Sequence, residues 1–271
     1  MKHTLFFLAL VTIVTIISCK KDKENTTTTT TPYGINSTDI GGVGDTFRLA
    51  IHPVNAGDNA YLLGSASSGQ IWDYDSIPFS ANIDTTIFLN PASNPDYSFF
   101  PTSNLLIPDG SQSSMFLNKS SQKVDLIGIK ANMNGTIIKD TLGNPWTVLQ
   151  FPMQLGSSYT DSGSVSIDTQ FDFGSGLAPA RVKMKYKLIS TIDASGTVKT
   201  PTGTYECVRN KRIEYQAFNV YAIVLGQEVS AFSSKDTTYK YDYWSKSKKW
   251  NVIEIETNQS DVIKSIGYLL E

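Results

Sequence analysis

The chain has 271 residues, 40% of them hydrophobic and 18% charged, with a formal net charge of −2. That composition is globular, with apolar mass for one large core or two modest ones. A weakly acidic balance without a basic block excludes nucleic acid as a partner, because its recognition needs a positive surface. Two cysteines and two histidines are too few for a disulfide framework or for a zinc site with several imidazole ligands.

The first nineteen residues read as an address. Lys2 and His3 precede an apolar run from Leu5 to Ile17, which closes on Ile16-Ile17-Ser18-Cys19. A positive flank, a short apolar core and a small residue at the cut site form a secretory signal, and the core is short for a bilayer span. Apolar, apolar, small, Cys also resembles the lipobox of bacterial lipoproteins. That resemblance implies a signal peptide over residues 1–18, cleavage before Cys19 and acylation of its thiol with palmitate-type chains. Each buried methylene contributes about 0.8 kcal/mol, so several chains on one sulfur hold a soluble body on a membrane.

Lys20-Lys21-Asp22-Lys23-Glu24 and the threonine tract Thr26 to Thr31, ended by Pro32, cannot bury enough apolar area to order themselves. Residues 19–37 are therefore expected to form the acylated end and a disordered tether. The charged cluster resembles the export signals of Bacteroidetes-type lipoproteins, which implies an outer-membrane lipoprotein on the periplasmic or cell-surface side, with the surface favoured.

From Thr38 to Glu271 the pattern is all-β, expected to build antiparallel twisted sheets as a sandwich or half-barrel, with a possible subdivision at residues 157–163. Short runs rich in Val, Ile, Thr, Tyr and Phe alternate with polar residues and end at Gly, Asn, Asp and Pro. Among the expected strands are Thr46 to Ile51, Val124 to Ala131, Thr136 to Lys139, Trp146 to Phe151, Ser164 to Phe171 and Val182 to Thr191. Further on come Tyr205 to Ala217, Tyr221 to Ser230, Thr237 to Trp244, Asn251 to Thr257 and Val262 to Leu270. Asn134-Gly135, Gly143-Asn144-Pro145, Ala194-Ser195-Gly196 and Pro201-Thr202-Gly203 are expected to break or reverse the chain. A last hairpin is expected across Asn258 to Asp261.

Several short pieces occur in a telling order: Gly44-Asp45-Thr46, Trp72-Asp73, Phe100-Pro101 with Asn104, Phe151-Pro152 with Gly156, Asp193 with Gly196, Thr200 to Tyr205, Arg209 and Tyr241 to Trp244. Together they resemble a family of uncharacterised secreted β-proteins of Bacteroidetes-type bacteria, which often carry type IX sorting domains; none is expected here. The second half also resembles half-barrels related in shape to the lipoprotein-localisation factor. These resemblances imply fold and compartment rather than activity.

Candidate sites are few. Tyr239, Tyr241 and Tyr243 share one face of a strand, and Lys240, Asp242 and Trp244 share the other. With Trp250 and Trp146 as neighbours, these aromatics could stack on a sugar or an apolar ligand, or simply pack. Asp73 with Asp75, and Asp168 with Asp172, could supply oxygens to calcium or flank a glycosidic bond, although Asp in such loops is also ordinary turn chemistry. Cys207 reads as a small core residue, since a nucleophile would need His52 beside it. No cofactor is implied. The expectation is a non-catalytic envelope lipoprotein, membrane-bound through its lipid, that binds a glycan, lipid or envelope protein by a sheet face or loops. The alternatives are a lipid or lipoprotein carrier with an apolar half-barrel cavity, and a carboxylate-based glycoside hydrolase.

Overall fold

The computed structural model describes residues 33–55, 61–110, 112–133, 136–174 and 176–270. The expected signal peptide, Cys19, most of the expected tether and Asn134-Gly135 lie outside them. In chain order the strands are β1 (Gly34–Ile35), β2 (Thr46–Pro53), β3 (Gln70–Asp73), β4 (Ile83–Ile87), β5 (Leu105–Asp109), β6 (Ser113–Lys119), β7 (Lys123–Met133) and β8 (Thr136–Gln150). They continue with β9 (Met153–Gln154), β10 (Ser158–Asp172), β11 (Leu177–Thr200), β12 (Gly203–Val224), β13 (Gln227–Ser245), β14 (Trp250–Thr257) and β15 (Ile263–Leu269). No α-helix occurs among the described residues, in line with the alternating, strand-type pattern of the sequence.

The strands form two main twisted sheets, neither closed into a barrel. The larger runs β10-β11-β12-β13-β14-β15-β2-β4, and β3 adds in parallel to the end of β11 beyond β10. The smaller is the meander β5-β6-β7-β8, and β1 pairs separately with β9. Strand β11 has 24 residues and so spans roughly 80 Å at about 3.3 Å per residue. It continues through Ala194-Ser195-Gly196, where the sequence suggests a reversal; the irregularity is a register shift between Ile192 and Ala194. A bulge absorbs the turn-forming residues without ending the pairing.

Two other strand boundaries differ from the sequence expectation for local reasons. Register passes from Gly128 opposite Thr141 to Leu126 opposite Trp146, so Gly143-Asn144-Pro145 sits in a bulge inside one strand. Proline is tolerated there because it owes the ladder no donor. The expected strand Tyr221 to Ser230 is instead split by a hairpin at Leu225-Gly226, with φ of 50° and 79°. Two successive left-handed residues suit a tight β-hairpin, but leucine is a weak signal for that conformation. The Pro201-Thr202 reversal and the final hairpin at Asn258 to Asp261 form as expected. Tyr33 to Ile35, at the end of the expected tether, belongs to the fold: Ile35 is buried, and the Tyr33 hydroxyl donates to the Glu206 carbonyl.

The smaller sheet lies across one face of the larger. Trp146 of β8 stacks on Tyr186 of β11 with ring centres 5.0 Å apart, and the Tyr159 hydroxyl donates to the Val148 carbonyl at 2.8 Å. Farther along, Ile138 packs on Ala180, Val182 and Val220. Along β10, even-numbered residues are exposed and odd-numbered ones partly covered, as expected of a strand with one face against another layer. The opposite face of the larger sheet is covered at one end by the segment running through β3, which seats Trp72 and Tyr74 against Tyr243. All described residues belong to one compact unit.

Candidate functional site

Between the two sheets lies a cavity of about 430 Å³. Trp146, Val148 and Leu149 of β8, Leu126 of β7 and Met115 of β6 line it from the smaller sheet. From the larger sheet come Met184 and Tyr186, the row Arg212, Glu214, Gln216 and Phe218, and the pair Trp244 and Trp250 with Asn251 and Glu254. Alternation builds this wall: Arg212 is opposite Lys240, Asn210 opposite Asp242 and Asp242 opposite Glu254, so these side chains share the face the smaller sheet covers.

Most of the lining is aliphatic or aromatic, yet it carries polar atoms with no partner. Trp244 Nε1, Trp250 Nε1 and Arg212 Nε are buried donors without an acceptor, and Asn251 Oδ1 is a buried acceptor without a donor. Trp244 and Asn251 are each 3% exposed. Leaving such a group unsatisfied costs about 1–3 kcal/mol, so on side chains that line one apolar space the three donors call for acceptor oxygens, and Asn251 Oδ1 for a hydroxyl or amide hydrogen. Trp250 is fixed by a stack on Phe47 at 4.8 Å and an edge contact to Trp244 at 5.3 Å.

A charge network floors the cavity. Arg212 Nη1 donates to Asp242 Oδ2 at 2.7 Å, Nη2 donates to Glu214, and Lys240 Nζ donates to Glu254 at 2.8 Å. Burial pushes the Asp242 carboxyl up to about 6, against the pull of Arg212. Its second oxygen, Oδ1, has no partner, which suits a carboxyl that takes up a proton easily. Burial acts to raise Glu214 as well, but the Arg212 charge and hydrogen bond outweigh it and hold the group below the usual range.

The structure separates the aromatic candidates. Trp146, Trp244 and Trp250 share the cavity. Tyr239, Tyr241 and Tyr243 occupy the opposite face, opposite Ile213, Lys211 and Arg209. Tyr243 is fully buried, with its hydroxyl 3.1 Å from that of Tyr74, and Tyr241 donates to Asp261 at 2.8 Å. Arg209 anchors this second core: it forks to Asp193 at 2.8 and 2.9 Å, donates to the Leu63 and Ser65 carbonyls and lies over the Trp72 and Tyr241 rings. Buried and paired in this way, it is an organiser of the fold.

The acidic candidates are engaged locally. Asp73 accepts from Lys199 at 3.3 Å and from the Asp75 amide at 3.4 Å, Asp168 is forked by Arg181, and Asp172 accepts the Gly174 and Gly176 amides. Among the described residues, no three His, Cys, Asp or Glu side chains come together as a metal-binding group. Cys207 is sealed, and burial pushes its thiol up to about 12, so it is a core residue.

Arg212, Glu214, Tyr186 and Asn251 were not singled out by the sequence. The available signal was charge at alternate positions, Arg212 with Glu214 and Lys240 with Asp242, inside long apolar strands. Charges there are unusual unless they pair across the sheet.

No family model and no curated protein matches this chain. A solved structure from Bacteroides fragilis, of a protein with a YmcC-like fold described as exported, aligns with 85% of this chain and 95% of its own at 10% identity, with a TM-score of 0.25.

Proposed function

We propose that this protein is a non-catalytic envelope lipoprotein that holds an amphiphile between its two sheets, an apolar chain ending in acceptor oxygens. The observation that carries the reading is the set of buried donors on Trp244, Trp250 and Arg212 around an otherwise apolar cavity. The cavity falls within the usual size range for small-ligand sites, roughly 300–1,000 Å³. Its apolar walls favour the carrier form of the reading over a surface platform for neutral sugars.

Because three of the four tryptophans in the sequence line the cavity, intrinsic fluorescence reports its occupancy directly. Titration with cis-parinaric acid is expected to saturate and to change the tryptophan emission. Met184→Trp, which fills the space, should abolish the response. Trp244→Phe keeps an aromatic ring but removes the donor, and should weaken binding by about fivefold or more, the worth of one net hydrogen bond of about 1 kcal/mol. Undiminished uptake by Met184→Trp would show that the chain binds elsewhere.

The envelope part of the proposal rests on the sequence from Lys2 to Cys19. Intact-mass spectrometry of the exported protein is expected to find it beginning at Cys19 and carrying acyl chains, and Cys19→Ala should release it from membranes. An unmodified Cys19 would remove the anchor.

A further inference from the structure

The long sheet has a second concave surface, which adjoins the cavity and shares Lys185, Tyr186, Gln216 and Ala217 with it. It encloses about 710 Å³ between the outer parts of β10 to β13. Register turns Lys185 and Lys187 of β11 to the side opposite Tyr186, level with Ser164 and Ser162 on one neighbouring strand and Ala217 and Tyr215 on the other, with Lys235 of β13 level with Ala217.

Ion pairing takes up many of the bases elsewhere in the fold, including Arg181 and Lys183 near the end of the same row, which pair with Asp168 and Glu228. Lys185, Lys187 and Lys235 have no carboxylate partner among the described residues. The Lys187 ammonium instead lies 5.6 Å from the centre of the Tyr215 ring. All three lysines and Tyr215 are exposed. Lysines two apart on a strand are about 7 Å apart, and those on next-but-one strands about 10 Å. The groove therefore offers three regularly spaced positive charges against the single carboxylate of Asp236, with an aromatic face and hydroxyls.

We infer that this groove binds an acidic polysaccharide, the lysines pairing with carboxylates or sulfates along the chain while Tyr215 stacks on a sugar ring. Charge complementarity requires an anion, and the lining distinguishes sugar from lipid. A surface that docks on a bilayer presents aliphatic side chains to insert, whereas the aliphatic contribution here is Ala217 and the remainder is lysine, hydroxyl, tyrosine, Gly163, the amides of Asn144 and Gln216, and Asp236. Stacking beside polar contacts is the ordinary use of exposed tyrosine at a binding surface.

The test uses the purified protein with three probes: polygalacturonate, neutral dextran, and vesicles of phosphatidylglycerol in phosphatidylcholine. Polygalacturonate is expected to bind with an affinity that falls as salt rises, while dextran and the vesicles do not. Neutralising the groove with K185Q, K187Q and K235Q together should weaken polygalacturonate binding by roughly tenfold or more, with an unchanged urea midpoint because the side chains are exposed. Tyr215→Ala, with every lysine kept, should also weaken it. Equal affinity in the triple variant, failure of polygalacturonate to bind, or vesicle binding that depends on the same lysines would each overturn the assignment. Trp244 and Met184 line the cavity but not the groove, so Trp244→Phe and Met184→Trp should leave polygalacturonate binding unaltered.

Discussion

Replacing Arg212 by Met should destabilise the protein by about 3–5 kcal/mol at pH 7, the range for removing one partner of a buried ion pair, and the loss should shrink as the solution is acidified. Arg212 sits between Asp242, which is wholly buried, and Glu214. Methionine fills much of the same space but leaves two carboxyls in a low-dielectric layer without their cation. Such groups regain neutrality by taking up protons, and stability follows the difference in protons bound by the folded and unfolded chains.

In the parent protein the two carboxyls oppose one another. Asp242 is raised from 3.8 to about 6. Its favourable contribution is therefore fully present below pH 3.8 and is lost as pH rises through 6. Glu214 is lowered from 4.5, so its contribution is present above pH 4.5 and is lost as pH falls through its folded value. Without Arg212, Glu214 changes side and both groups favour acid, so the gap between variant and parent should be largest at neutral pH and smaller at pH 5. Urea unfolding at the two pH values measures it, and an equal loss at both would show that ionised carboxylates are not what Arg212 neutralises. Adding Asp242→Asn to the Arg212 variant should recover about 1 kcal/mol or more, because groups in one network are not additive.

Gly163→Val should cost a further large amount, about 3–5 kcal/mol, comparable to deleting a buried tryptophan, and should abolish ligand uptake by the cavity. A side chain has no room at this position: a Cβ on Gly163 would overlap the indole nitrogen and ring of Trp146. That ring is 9% exposed, stacked on Tyr186 and part of the cavity wall. It can move only by losing its seat, because interiors packed to crystalline density do not yield by an ångström without cost.

The check is a double-mutant cycle with Trp146→Ala, read by urea unfolding and near-ultraviolet circular dichroism. If Gly163→Val acts by expelling Trp146, its effect should largely disappear where Trp146 is already absent. An undiminished cost in the Trp146→Ala background would place the damage in β10 itself. Asp161 and Gly163 thus have structural roles. Asp161 accepts the Thr147 amide and Gly163 makes room for Trp146, so both position the cavity wall.

Strand alternation is a local property, and it could be read from the residues themselves. The all-β class, the opposite facings of Tyr241 and Trp244, and the hairpin at Asn258 to Asp261 follow from spacing and turn chemistry within a few positions. The bulges in β8 and β11 and the turn at Leu225-Gly226 were not legible in the same way. Each depends on whether a neighbouring strand holds the chain in register through residues that favour a break, or reverses it at one that does not.

The site lay further from view. That Trp146, Trp244 and Trp250 meet depends on β8 crossing over β11 to β13, and on Gly163 lying beneath one ring; nothing in the spacing of these residues encodes that approach. Sequence determined which side chains share a face, because a strand's geometry repeats every two residues. The tertiary structure alone decided which face was roofed, which donors lost their solvent and which lysines kept theirs, because covering a sheet is an act of distant residues.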